Sequence, residues 1–541
     1  MINAKLLISL VIATLGISSC AQQKSSNERP KEVEEEIRNV ILISMDTTRW
    51  DVLSSYGAPE VQSPNIGAFA RENIVFENCY APVAVTLPSH ATMLTGMIPP
   101  QLGVLDNNHY ALASNHVTLA EILKEKGFQT GAFVGSFILD SMFGLDQGFD
   151  VYNDDVTGEI GIPERRGDET TALALEWLEH NRDQKNFVFI HYFDPHASYD
   201  PPEPFASRFK ELYREYPEFV QDYVGEIAFT DHCIGQLITR LKELGLYDNS
   251  LICITADHGE SHEEHGEFSH GFFIYNSTIK VPLIFKVPGY GGHIRVRDSV
   301  GLVDITPTIC AALGIESKGI SSGRDLTNSF DGGEDLYSDR VIFSYSIEAK
   351  KYRGNSLLSV IFGEYKYIHT TRPELYNISN DIYERINLID LEPNRVPLLR
   401  EKLRNIVDDF ATKTPHGRAE FDAETVRKLE RLGYVGTTES AANFEFDPSA
   451  SDPKDLIDYH DLNSVALAYV WPGNHAKALS AAESMIEMRP DLFNGYVMMG
   501  KILISMGRAD DAAPYLARAA ELDPEGTRAQ LQTEGSHDPG G

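Results

Sequence analysis

The chain has 541 residues, 42% hydrophobic and 23% charged, which is ordinary for a globular protein and leaves room for two or three domains. Its 47 basic and 80 acidic residues give a formal charge of −33, a surface that repels nucleic acid and anionic lipid. An anionic substrate then needs a local positive source, and a metal ion is the simplest one.

Residues 1–20 read as a lipoprotein signal peptide. Lys5 gives a positive start, residues 6–17 are apolar but too few to span a bilayer, and Ile17-Ser-Ser-Cys20 resembles a bacterial lipobox. That resemblance implies cleavage before Cys20 and a lipid on its sulfur. The expected location is the bacterial cell envelope, periplasmic side or outer surface, with membrane contact only through the lipid. Residues 21–37 are polar and form a tether. Cys79, Cys233, Cys253 and Cys310 are widely spaced and read as buried free thiols.

Residues 40–45 are an unbroken apolar run, the pattern of a strand buried on both faces, and the run ends on Asp46. Ligands of α/β sheets bind at such strand ends. Ser63-Pro64 opens a short helix, and residues 74–80 return as a strand. Thr86-Leu-Pro-Ser-His90 opens a helix through Leu94, placing Thr86 at an N-terminus whose free N–H groups favour an anion. Further strands are expected at 129–135, 187–193, 251–256 and 281–287, and helices at 117–126, 169–181, 223–244 and 303–314. The 187–193 strand leads into Asp194-Pro-His196, and the 251–256 strand into Asp257-His258. Residues 260–271 form a loop crowded with His and acids, with His270 turned inward by the apolar run that follows. The alternation predicts an α/β catalytic domain over 38–340, a large mostly parallel sheet sandwiched by helices. Residues 341–436 alternate like a small antiparallel sheet followed by a helix, and 437–453 are a linker. Over 454–530, Ala466, Ala478 and Pro490 recur as Gly500, Ala512 and Pro524, a period of about 34 residues that resembles tetratricopeptide repeats. These α-helical repeats are expected to pack on the catalytic domain or on a protein partner, and 531–541 form a disordered tail.

Three buried strands therefore end in acid, histidine or both. Singly, such residues are helix caps or solvated loop ends; together they make a site. Asp46, Asp257 and His258 offer two carboxylates and an imidazole, a fitting ligand set for a divalent metal ion. Thr86 completes it once deprotonated, because metal contact lowers the pKa of a hydroxyl. His90, one turn further, either hydrogen-bonds the transferred group or packs in the core. His196 and His270 are the candidate acid–base groups.

The residues that carry these features resemble the sulfatases, within the alkaline phosphatase superfamily, from Asn39 to Gly436. The matching segments include Val40-Ile-Leu-Ile-Ser-Met-Asp-Thr-Thr-Arg-Trp-Asp51, Thr86-Leu-Pro-Ser-His90, Asp194-Pro-His196, Ala256-Asp-His-Gly-Glu260 and Val303-Asp-Ile-Thr-Pro-Thr308. The resemblance implies hydrolysis of an anionic ester, metal ligation by Asp46, Thr47, Asp257 and His258, and substrate contact by His196, with His270 nearest in place to a family lysine. Sulfatases carry Cys or Ser before x-Pro-Ser-Arg and oxidise it to formylglycine. Here Thr86 and His90 hold the Cys and Arg positions. Oxidised threonine is a ketone, which hydrates poorly, so formylglycine is disfavoured and direct attack by Thr86 is expected. Threonine nucleophiles serve related branches that cleave phosphate esters, so sulfate, phosphate and phosphonate esters all stay open. Thr47 in place of a second aspartate weakens a calcium-type cage. Zn, Mn, Mg and Ca stay open, as does a second ion drawing on Asp194, His196 and His270. The rival reading is a non-catalytic envelope scaffold that binds a partner through its repeats.

Overall fold

The computed structural model describes residues 36–527, except 109, 157–163, 317–321, 334–335, 412–424, 426–427, 430–443, 445, 471–473 and 525. The signal peptide, the tether up to residue 35 and the C-terminal tail lie outside the described residues. Eight strands form the main sheet: β1 (Asn39–Met45), β2 (Ile74–Tyr80), β3 (Phe128–Phe133), β4 (Val151–Asn153), β5 (Lys185–Tyr192), β6 (Ser250–Ala256), β7 (Lys280–Lys286) and β8 (Ile294–Gly301). Their order is β4-β3-β5-β1-β6-β7-β2-β8, and β7 alone runs against the others.

β1 lies mid-sheet and is buried throughout. Val40 and Leu42 face one core, while Ile41, Ile43 and Met45 face another. Both pleat faces are thus covered, which is why its sequence is apolar without alternation. Helices α1 (Pro64–Arg71), α2 (Thr86–Thr95), α3 (Pro99–Leu102), α4 (Leu119–Glu125), α5 (Gly167–His180), α6 (Phe205–Leu212), α7 (Glu218–Glu243), α8 (Asn276–Ile279) and α9 (Ile305–Ala312) connect the strands. α2, α4 and α9 pack on the first face. α1, α5 and α7 pack on the second. The four predicted internal cysteines are buried and free. The sequence reading passes over β8, an edge strand whose Arg295, Arg297 and Asp298 interrupt its apolar pattern, and over α6.

The second sheet is antiparallel, with β9 (Val341–Ser346), β10 (Leu357–Phe362), β11 (Tyr365–His369) and β12 (Glu374–Asn377) in the order β12-β11-β10-β9, backed by α10 (Val396–Ala411). Among the described residues from 457 onward lie α11 (Ile457–Val470), α12 (His475–Met488), α13 (Phe493–Ser505) and α14 (Ala509–Leu522). Small residues let them approach closely. Ala466, Ala478 and Ala512 are buried, and a methyl group on Gly500 would sit 2.3 Å from Leu516. Their core is continuous with residues 272–275 and with the second sheet. Among the described residues no helix is long and apolar enough to cross a membrane.

Candidate active site

Met45 pairs with Tyr192 on one side and with Ala256 on the other, so Asp46 and Asp257 leave the sheet side by side. Asp257 Oδ1 accepts the amides of His258 (2.8 Å) and Thr47 (3.2 Å), while its Oδ2 has no partner. Asp46 Oδ2 accepts from His191 Nε2 at 3.1 Å, while its Oδ1 has no partner. His258 donates Nδ1–H to the Gly259 carbonyl at 2.9 Å. That fixes the tautomer and leaves Nε2 bare, 3.3 Å from Asp257 Oδ2 and 3.9 Å from Asp46 Oδ1. Asp46, Asp257 and His258 are fully buried, and they bring ligand-competent atoms within 4.8 Å of one another. Burial raises the pKa of both carboxyls; Asp46 adds to the rise at Asp257, while His196, His258 and His270 oppose it at Asp46. Buried polar atoms rarely stay unpaired, and these three orphans with this charge fit a divalent cation.

Thr86 is the first residue of α2, wholly buried, and its Oγ1 has no partner. The backbone around it is held tightly. His90 Nδ1 donates to the Thr86 carbonyl at 2.8 Å, and its Nε2 meets Ser44 Oγ at 2.9 Å. Burial lowers the His90 pKa to about 3, so the ring is neutral. With both nitrogens engaged, His90 joins β1 to the start of α2, 3.7 Å from Asp257 Oδ2. It therefore takes the packed one of its two sequence-based alternatives and does not point a free nitrogen at a transferred group. The Leu87 amide donates to Asn107 Oδ1 at 2.8 Å, which orients Asn107 Nδ2, buried and without a partner.

The remaining predicted residues divide. His196 gives Nδ1–H to the Ala197 carbonyl at 2.6 Å and keeps a buried, unpartnered Nε2. Burial lowers its pKa to about 4. His270 has its ring centroid 5.2 Å from that of His196 and 4.6 Å from that of His258. Burial opposes a charge on His270, but Glu260, with Oε1 3.0 Å from Nδ1, outweighs it and the pKa rises to about 9. Burial likewise opposes the Glu260 charge, yet His270 pulls that pKa down to about 2. Thr47 has φ of 47°, uncommon for a β-branched residue, and its Oγ1 donates to the Pro195 carbonyl at 2.6 Å. Its amide, not its hydroxyl, serves the site by holding Asp257. Asp194 departs from its expected place: its Oδ1 accepts the Gly167 amide at 2.9 Å at the start of α5, and it is not in the buried ligand group. The strand-end acid is here a helix cap.

Three participants escape the sequence reading. His191 is one, a lone polar residue in an apolar strand. Glu260 is another, visible only as the end of Asp-His-Gly-Glu. Asn107, in an irregular stretch, carries no signal. Gly259 shows how closely the backbone is packed here: an added methyl would lie 2.2 Å from the Ser277 carbonyl oxygen. Gly259→Ala is expected to lower stability by about 3 kcal/mol and to scatter the site, which thermal or urea melts will measure.

The sulfatase family model matches residues 38–315. An N-acetylglucosamine-6-O-sulfatase of Bacteroides thetaiotaomicron is 24% identical over 422 residues, covering 59% of this chain and 74% of that protein. A solved structure described as a complex with its substrate D-glucosamine-2-N,6-O-disulfate shares the fold, with TM-score 0.61 and 20% identity over 70% of this chain and 99% of that one. A phosphonate monoester hydrolase of Agrobacterium radiobacter also shares it, with TM-score 0.57 and 22% identity over 69% and 96% of the two chains. The matched region contains Asp46, Thr86, Asp257 and His258 on the strand ends and helix start where the geometry gathers them. On that match, which spans more than half its length, this chain belongs to the sulfatase family of ester hydrolases.

Proposed function

We propose that the protein hydrolyses a sulfate, phosphate or phosphonate ester by direct attack of the Thr86 hydroxyl, through a covalent ester on Thr86. The observation that carries this reading is the buried, unpartnered Thr86 Oγ1 at the N-terminus of α2, held by the same His90 that contacts Asp257. Asp46, Asp257 and His258 would hold a divalent ion, which when bound would supply positive charge to lower the pKa of the Thr86 hydroxyl and polarise the ester. The chain's own groups supply the rest. Asn107 Nδ2, held in place by the Leu87 amide on its Oδ1, donates to a non-bridging oxygen. His196, neutral with a bare Nε2, accepts the proton that the Thr86 hydroxyl loses as it attacks. His270, charged at neutral pH, gives one to the leaving alcohol. Two groups with pKa values pushed apart, to about 4 and about 9, divide base and acid roles. The bond from Thr86 Oγ1 to sulfur or phosphorus forms as the bond to the alcohol breaks. Water then displaces Thr86 by the reverse order of proton transfers.

The relatives named as sugar sulfatases support a sulfate ester. Thr86 itself supports a phosphate or phosphonate ester, because a phosphorylated threonine is open to in-line attack by water and needs no formylglycine. Assay of the purified chain on aryl sulfates, phosphates and phosphonates, with mass analysis of the Thr86 peptide, decides between them. An oxidised Thr86, or no turnover of any of these esters with metal bound, sinks the proposal. Asn107→Ala is expected to lower kcat by about 10²-fold, the cost of one oxyanion donor, with metal content unchanged. A rate within about twofold of the parent removes Asn107 from the mechanism.

We also propose a lipid anchor on Cys20, envelope localisation, and tetratricopeptide-like pairing of α11 with α12 and α13 with α14. The lipobox-like Ile17-Ser-Ser-Cys20 supports the first two, and the recurrence of Ala466, Ala478 and Pro490 as Gly500, Ala512 and Pro524 supports the third.

A further inference from the structure

His270 stands on a segment that has little regular structure of its own: residues 266–275 contain no strand and no α-helix. Its position therefore depends on what packs against it. Two contacts come from the C-terminal helices and the turn before them, and Ile457 Cγ2 on α11 lies 4.0 Å from where a Cβ on Gly266 would stand. The Phe272 ring lies 4.6 Å from the ring of His460, also on α11. Tyr275 donates to Glu374 Oε2 at 2.9 Å, and Lys454 holds the other oxygen of that carboxylate at 2.6 Å. His460 is itself oriented, because Tyr352 OH meets its Nδ1 at 3.1 Å. Ser346, at the end of β9, donates to the Gly271 carbonyl at 2.7 Å and closes the segment from the other side. Leu456 and Tyr459, which flank this contact, are wholly buried in the same core as Phe272.

We propose that His460 is a positioning residue for His270, acting through Phe272, and that the C-terminal helices are a working part of the active site. The first of them, α11, uses its inward face to brace the segment that carries the acid. The inference rests on the role given to His270 under the proposed function. A small displacement of a proton donor slows the step in which the leaving oxygen departs, and it does so more for a poor leaving group, which needs the proton, than for a good one.

The test uses the full-length, metal-loaded enzyme and paired esters of one acid, one with a nitrophenol and one with an alkyl alcohol as leaving group. His460→Ala is expected to lower kcat by about tenfold on the alkyl ester and much less on the nitrophenyl ester, with KM and metal content near parental. His460→Phe keeps the ring on Phe272 and is expected to restore most of the alkyl-ester rate. Tyr352→Phe removes only the hydrogen bond to His460 and is expected to give a smaller loss of the same kind, a second route if His460→Ala folds poorly. Ile504→Ala, on an exposed part of α13, is the control and should match the parent. His270→Ala runs beside them. If it shows the leaving-group-dependent loss and His460→Ala does not, this inference fails and the mechanism stands. If His270→Ala shows no such dependence, the assignment of His270 as acid fails first. An equal loss on both esters, or a loss of metal, marks His460 as merely structural and overturns the proposal.

Discussion

Thr86→Ala is expected to be catalytically dead, with kcat lower by on the order of 10⁵-fold, while still binding its metal ion. The loss is large because, in the proposed mechanism, the hydroxyl oxygen forms the covalent bond. Among the described residues nothing else of that chemistry stands in its place: His90 has both nitrogens engaged, and the internal cysteines are buried elsewhere, with the pKa of the Cys79 thiol on β2 pushed well up by burial. Metal binding should survive, since Asp46, Asp257 and His258 keep their ligand atoms together without help from Thr86. Stability should not fall. A buried hydroxyl without a partner costs free energy, so its removal is expected to stabilise the metal-free protein by about 1 kcal/mol. Thr86→Ser keeps the nucleophile and is expected to stay within about tenfold of the parent. Steady-state rates, metal analysis and a thermal melt of the three proteins check every part. Turnover by Thr86→Ala would remove the hydroxyl from the mechanism.

Withdrawal of the ion is the second large effect. Chelation of the parent and the substitution Asp257→Asn should both stop turnover, yet they should move stability in opposite directions. Both carboxyl groups have pKa values raised by burial above the ordinary 3.8. For an acid shifted upward, the folded state prefers the protonated form. Its stabilising contribution is full below the unfolded value and is lost as pH rises through the raised folded value. The metal-free parent is therefore expected to melt at a higher temperature near pH 4 than this pair alone allows at pH 7. Asp257→Asn removes one of the two charges and keeps an oxygen for the amides of Thr47 and His258. At pH 7 the metal-free variant is expected to exceed the metal-free parent by about 1–3 kcal/mol. Added divalent ion should raise the melting temperature of the parent and leave that of the variant unchanged. Melts at both pH values, with and without ion, give the four numbers. A parent that melts identically in all of them would refute the metal site.

Much of this was legible in the residues. β1, β6 and α2 announce themselves because an unbroken apolar run has one plausible setting, the middle of a covered sheet, and Pro88-Ser89 suits the first turn of a helix. The strand-end acids are less reliable. Asp46 and Asp194 carry the same local signal, but one enters the candidate metal group and the other caps α5. What separates them is which neighbour each strand end meets, and that is set by pairings between distant segments. His191 was hidden for the same reason: its ring reaches Asp46 only because β5 lies in register beside β1. Asn107 was hidden because its orientation comes from one amide on another element. The C-terminal helices could be counted from their spacing, whereas the face that α11 turns to His270's segment is decided by packing alone.

The strand order has a consequence for how the protein comes to life during synthesis. β1 is made first but lies between β5 and β6, so the partners of Asp46 and Thr47 arrive 145 and 210 residues later. Contacts this far apart in the chain form late and slowly. A nascent chain carrying Asp46 and Thr86 therefore has neither Asp257 nor His258 beside them, and on the proposed mechanism it can neither trap a metal ion nor attack an ester. Activity switches on only with the closing of the sheet, a safeguard written into the topology itself.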